Sequence, residues 1–158
     1  MAATTNAQPA TARRRRLRTR GSLLVALVAV VALALGACSA EEDEATYLVN
    51  SARTYVGLPT LPTNVDLYLK AQSWSQRLAN EQRLYHSYLP DGIGYNWARL
   101  GENVGYGYSI RQVHDAFMNS SGHRANILDR GFNRIGVGVT RDGAGRYWVV
   151  QEFMQERL

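Results

Sequence analysis

The chain has 158 residues, with 18 Lys and Arg, 13 Asp and Glu, three His and one Cys, and a formal net charge of +5. Six arginines and no acidic residue precede Cys38, so the chain from Cys38 onward holds 12 basic and 13 acidic groups. A net charge of −1 there gives no support for nucleic-acid binding, and a lone cysteine excludes an intramolecular disulfide.

Residues 1–37 read as an export signal outside the fold. Arg13 to Arg16, Arg18 and Arg20 form a charged n-region, and Leu23 to Leu35 is an unbroken apolar stretch of 13 residues. A bilayer span needs about 20. Leu35-Gly36-Ala37-Cys38 resembles the lipobox of bacterial lipoproteins. The resemblance implies a diacylglyceryl thioether on Cys38, cleavage before it, and attachment to the outer face of the cytoplasmic membrane through that lipid. General secretory and twin-arginine export both stay open. Residues 38–44 read as the lipidated cysteine and a short solvated tether, Glu41-Glu42-Asp43-Glu44. Residues 45–158 are long enough for one domain with its own core.

Within that domain, Ala45, Leu48, Val49, Ala52 and Val56 recur at helical spacing, and Gly57 is placed to end the helix. Thr63-Asn64-Val65-Asp66 reads as a capping box that starts a second helix, running to about Leu84. Its buried stripe is Leu67, Ala71, Trp74 and Leu78. From His86 to Leu100 the pattern is that of a loop, with Pro90, Asp91-Gly92 and Gly94. Glu102 to Tyr108 fits a short strand or an extended loop. Ser109 caps a third helix lined by Ile110, Val113, His114 and Phe117, with His114 as a satisfied core histidine. Ser120 or Ser121 opens a short helical turn that carries His123 near its N-terminal end. There the helix dipole favours the neutral imidazole.

Ile135, Val137 and Val139 alternate with Gly136 and Gly138, Asp142 to Gly145 form a turn, and Tyr147 to Phe153 return as a strand. The returning strand is apolar on both faces, which requires helices on both sides of the sheet. The expected fold class is α/β: a three-layer α-β-α sandwich with a small, mostly antiparallel sheet and a C-terminal hairpin.

Two imidazoles, His86 and His123, and the carboxylate of Glu102 are the residues whose types suit a metal or acid–base site. The alternative is that Glu102 and His123 only cap and cross-link loops. Several segments in order resemble the CAP superfamily of cysteine-rich secretory, antigen 5 and pathogenesis-related 1 proteins, in its short bacterial secreted branch. They are Asn50-Ser51-Ala52-Arg53, Gly57 to Leu61, His86, Gly101-Glu102-Asn103-Val104, Phe117 to Ser120, Gly122 to Leu128, Ile135 to Gly138 and Tyr147 to Phe153. The resemblance runs from about Leu48 to Phe153. It implies a cleft lined by His86, Glu102, Asn103, Ser120 and His123, with a divalent metal, zinc foremost, on His86 and His123 with Glu102. Ser120 stands where related chains carry a second glutamate.

Two functions follow as expectations. The first is a membrane-anchored extracytoplasmic binding module for a lipid, glycan or wall-derived ligand, with Tyr85, Tyr88, Tyr95, Trp97, Tyr106 and Tyr108 near the cleft. The second is a hydrolase acting on wall or peptide substrates. It would use a zinc-bound water with Glu102 as base, or Ser120 or Ser121 activated by His123. Composition and motifs leave the oligomeric state open.

Overall fold

The computed structural model describes Met1, residues 40–94 and residues 96–157. The export signal, Cys38 and Tyr95 lie outside the described residues. Among the described residues, no helix is long and apolar enough to cross a membrane.

The first helix, α1, spans Ala40–Tyr55. It begins earlier than the apolar periodicity suggested, because Glu41, Glu42 and Asp43 occupy its first turn. Acidic side chains are stabilising at that end of the helix dipole. The acidic run lies within the helix: Glu42 is buried and accepts a hydrogen bond from Tyr68 Oη at 3.4 Å, whereas Asp43 and Glu44 are exposed. Gly57 follows the helix with φ +76°, as its position suggested.

The second helix, α2, spans Val65–Glu81. Its cap is Asn64, whose side chain accepts from Leu67 N at 3.1 Å, and not Thr63. Thr63 instead makes an isolated parallel bridge to Ile135. Leu67, Ala71, Leu78 and Ala79 are buried, together with Ser75, whose hydroxyl meets Thr140 Oγ1 at 2.8 Å.

Strand β1 covers Trp97–Gly107. It starts well before Glu102 because its N-terminal part pairs with the far end of the returning strand, a contact that local alternation does not reveal. Helix α3 is Ile110–Asn119, capped by Ser109, whose side chain accepts from Gln112 N. Helix α4 is Ser121–Ile127. Strands β2, Arg134–Arg141, and β3, Tyr147–Glu156, form the expected hairpin. The sheet order is β1-β3-β2, antiparallel throughout.

Strand alternation divides the interior into two layers. Val149, Phe153, Ile135, Val137 and Val139 face α1, α3 and α4. Trp148, Val150 and Val104 face α2. The α2 layer is close because Gly136 and Gly138 point toward it. A Cβ on either would fall 2.2 Å from backbone carbon of Leu67 or Ala71. The mixed α-β-α sandwich expected from the apolar pattern is thus the architecture observed.

His114 departs from its expected role. It is buried on α3, yet its Nδ1 has no hydrogen-bond partner among the described residues. Burial holds its pKa below the ordinary 6.5, with Asp115 opposing and Arg111 adding to the effect. The unfolded chain therefore takes up a proton that the fold resists. Stability is expected to be retained above pH 6.5 and to fall as pH drops below it. Urea midpoints at pH 7.5 and 5.5 check this: His114→Leu should flatten the difference, and an unchanged difference would assign it to other groups.

Candidate functional site

The register of β1 against β3 sets the site. Glu102 is the direct cross-strand partner of Glu152, so both carboxyls rise from the same face of the sheet. Strand alternation makes this the α2 face, which also carries Val104 and Trp148. Both carboxyls are shut away from solvent, with side-chain exposures of 0 % for Glu102 and 1 % for Glu152. Burial first, and then the neighbouring Glu102, push the Glu152 carboxyl up to about 8, against the pull of Lys70. Like charges placed directly opposite on a sheet repel, so the pair needs a proton or a cation.

The loop after α2 closes over these carboxyls. His86 Nδ1 lies 2.6 Å from Glu102 Oε1. Ser87 N donates to both Glu102 oxygens, at 3.0 and 3.3 Å. A Glu102 carboxylate that accepts from the Ser87 amide matches the His86 tautomer that carries its ring hydrogen on Nδ1. The other ring nitrogen, Nε2, is left for the solvent side, where the His86 side chain is 61 % exposed.

His123 reaches the same neighbourhood from α4. Its ring packs on Phe117 with centroids 4.9 Å apart. Burial, and then the charge of His86, hold its pKa below the ordinary value, which favours the neutral ring. Asn103 positions it from beneath: its Nδ2 donates to His123 O at 3.1 Å and to Gln151 Oε1 at 3.0 Å. Asn126 Nδ2 in turn donates to Asn103 Oδ1 and to Glu102 O. Asn103 itself is fully buried, so it supports the cleft instead of lining it.

The groove has a volume of about 390 Å³ and is lined by His86, Ser87, Leu89, Gly101, Glu102 and Asn126. Ser87 also lines a neighbouring cavity of about 300 Å³, whose walls include Asp66, Ser73, Trp74, Tyr88 and Asp91. The expected aromatic cluster is dispersed. Tyr85 meets Trp74 edge-on, Tyr106 lies over Trp148, and Tyr88 and Tyr108 are exposed.

Sequence reasoning brought His86, Glu102 and His123 into one region, and missed Lys70, Ser87, Asn126 and Glu152. Glu152 carried a usable signal, as an acid in the apolar middle of a strand covered on both faces. Lys70 carried another, as the only lysine in the chain.

The chemistry of this donor set is narrow. Glu102 has its oxygens engaged by His86 and Ser87, which leaves it poorly placed as a metal ligand or a general base. Among the described residues, no three His, Cys, Asp or Glu side chains converge to hold a metal ion. What remains for a cation is two imidazoles, short of the three protein ligands of a catalytic zinc site. Ser120 caps α4 through its backbone alone, without a side-chain cap bond. Neither its hydroxyl nor that of Ser121 is paired with His123 among the described residues.

The family profile described as "CAP: Cysteine-rich secretory protein family" matches residues 46–153. The uncharacterized protein YkwD of Bacillus subtilis is 32 % identical over 115 residues, which cover 67 % of this chain and 45 % of YkwD. An extracellular protein of Bacillus anthracis containing a SCP domain superposes with a TM-score of 0.65 at 23 % identity, over 73 % of this chain and 40 % of that one. NaASP2, solved with Zn2+, superposes with a TM-score of 0.55 at 15 % identity, over 73 % of this chain and 80 % of that one. The chain thus spans less than half the length of the two bacterial proteins. The profile match covers nearly the whole of the described domain, from α1 to β3, and the chain belongs to the CAP, or cysteine-rich secretory protein, family.

Proposed function

We propose that this CAP domain is an exported binding module, tethered to the membrane by lipid on Cys38, that takes a neutral, hydroxyl-rich glycan in the groove beside His86. The observation that carries the reading is the chemistry of the two adjoining cavities. Their polar walls offer acceptors: His86 Nε2, Asn126 Oδ1 and the carboxylates of Asp66 and Asp91. Lys70, the cation that lines the second cavity, has its donors engaged by Leu89 O, Tyr88 O and Glu152. A sulfated or phosphorylated ligand would meet acceptors and no free cation, whereas sugar hydroxyls supply the missing donors. Trp74 and Tyr88 border the second cavity, so a strand of several sugar units running past Ser87 would find ring faces there.

Zinc enters this reading as far as two imidazoles allow, with NaASP2 as the structural relative that carries it. The expected mode is weak coordination by His86 and His123 that competes with the glycan for His86 Nε2. The test is calorimetric titration of the full chain with neutral wall-type oligosaccharides and with a sulfated polysaccharide. Neutral chains should bind, and His86→Ala should weaken them about tenfold, the loss of one good hydrogen bond. Preference for the sulfated polymer, or indifference to His86→Ala, would reject the glycan reading. Retention of Cys38→Ser in the membrane fraction would reject the anchor.

A further inference from the structure

Seventeen of the 18 basic residues are arginine, and the single lysine, Lys70, is nearly buried, with 7 % of its side chain exposed. It stands on α2 and reaches across to the loop that carries His86. Its ammonium donates to Leu89 O at 2.6 Å and to Tyr88 O at 3.1 Å, and lies 3.4 Å from Glu152 Oε1. Three acceptors arranged around one point suit the three donors of an ammonium, and a planar guanidinium does not match them. Glu152 adds a further hold, accepting from Ser87 Oγ at 3.4 Å.

Four consecutive loop residues are therefore gripped from the sheet and from α2. His86 is held through its ring, Ser87 through its amide and hydroxyl, and Tyr88 and Leu89 through their carbonyls. The loop has no helix or strand of its own to hold it. A buried lysine set against two buried carboxyls is a poor way to stabilise a core, since well-packed apolar residues of similar volume do as well or better. Its polar ends all converge on one loop, which is where its effect is to be sought.

We propose that Lys70 and Glu152 are positioning residues: a two-sided clamp that fixes loop 86–89 so that His86 keeps Nδ1 on Glu102 and turns Nε2 into the groove. The proposal deepens the glycan reading, on which it rests for the ligand alone. Lys70 lines the second cavity, but its donors are engaged by loop carbonyls and Glu152, so both residues act through the loop.

The test is nuclear magnetic resonance on the full chain carrying 15N-histidine, without ligand, together with amide exchange. In the wild type, the His86 ring nitrogens should report a proton held at Nδ1. Lys70→Met should move them toward a mixture of tautomers and speed exchange of the Ser87 amide by about tenfold or more, with β2 and β3 amides unchanged. Lys70→Arg, which keeps the charge, should restore part of the protection. Unchanged His86 and Ser87 signals in Lys70→Met would overturn the clamp. So would faster exchange by the same factor in every strand, which marks a contribution to global stability only. Should Lys70→Met fail to fold, Glu152→Met, which removes the acceptor of Ser87 Oγ and Lys70, decides: faster Ser87 exchange with an unchanged hairpin supports the clamp, and unchanged Ser87 exchange overturns it. Because no ligand is present, failure of the glycan titration leaves this outcome standing, and the reverse also holds.

Discussion

Replacing Arg53 by methionine is expected to lower the free energy of unfolding by about 2–6 kcal/mol, at about 1–3 kcal/mol for each of two interior carbonyls left without a donor. Arg53 is fully shielded from solvent near the end of α1. Its guanidinium donates to four main-chain carbonyls: Pro59 O at 2.9 Å, Ile127 O at 2.9 Å, Asp129 O at 2.8 Å and Phe132 O at 3.4 Å. Those carbonyls belong to the turn after α1, the end of α4 and the segment leading into β2. Methionine matches the apolar stem and returns none of the donors, so the acceptors at Ile127 and Phe132 lose a partner in the interior. Burial lowers the guanidinium pKa and Asp129 opposes that, but the group stays charged through the range in which proteins fold. Urea denaturation measures the effect. A loss below about 1 kcal/mol would mean that water replaces the guanidinium at those carbonyls. The consequence reaches the groove, because α4 carries both His123 and Asn126.

The second large effect is expected at Gly138. An alanine there would place its Cβ 2.2 Å from Ala71 C and 2.3 Å from Ala71 O, both backbone atoms of α2. A side chain could rotate away from such a contact, but helix backbone cannot, so α2 must lift from the sheet. Overpacking of a core costs about 1–3 kcal/mol where side chains adjust, and this site should reach or exceed the upper end. Thermal denaturation of Gly138→Ala against Gly143→Ala isolates the cause, since a Cβ at Gly143 meets nothing within 4 Å. Equal melting temperatures for the two variants would show that the α2 layer is looser than its contacts imply. A lifted α2 also carries Lys70 away from the loop, so the variant should lose Ser87 amide protection along with stability.

The contrast between legible and illegible parts follows the range of the interactions. Helices α2 and α3 were readable because their apolar stripes repeat within one element, and the Ser109 cap lies three residues from its donor. The hairpin was readable because alternation and its turn are contiguous. The extent of β1 was not: Trp97 to Leu100 show no alternation, and their strand geometry comes from pairing with residues 154–156, more than fifty positions away. The acidic run at Glu41 to Glu44 misled for the opposite reason. Its composition is that of a solvated segment, and only the packing of α1 makes Glu42 an interior residue.

For the site, the chain by itself determined which groups were available: three histidines, one lysine, and glutamates at 102 and 152. Family-like segments around His86, Glu102 and His123 marked three of them. The roles of those groups were decided by tertiary structure. Strand register put Glu102 opposite Glu152, and the loop after α2 then engaged Glu102 with His86 and Ser87. Register depends on the sum of side-chain packing over a whole strand, and desolvation depends on every layer that covers it. Neither is a property of neighbouring residues, which is why the identity of the site residues was local information and their chemistry was not.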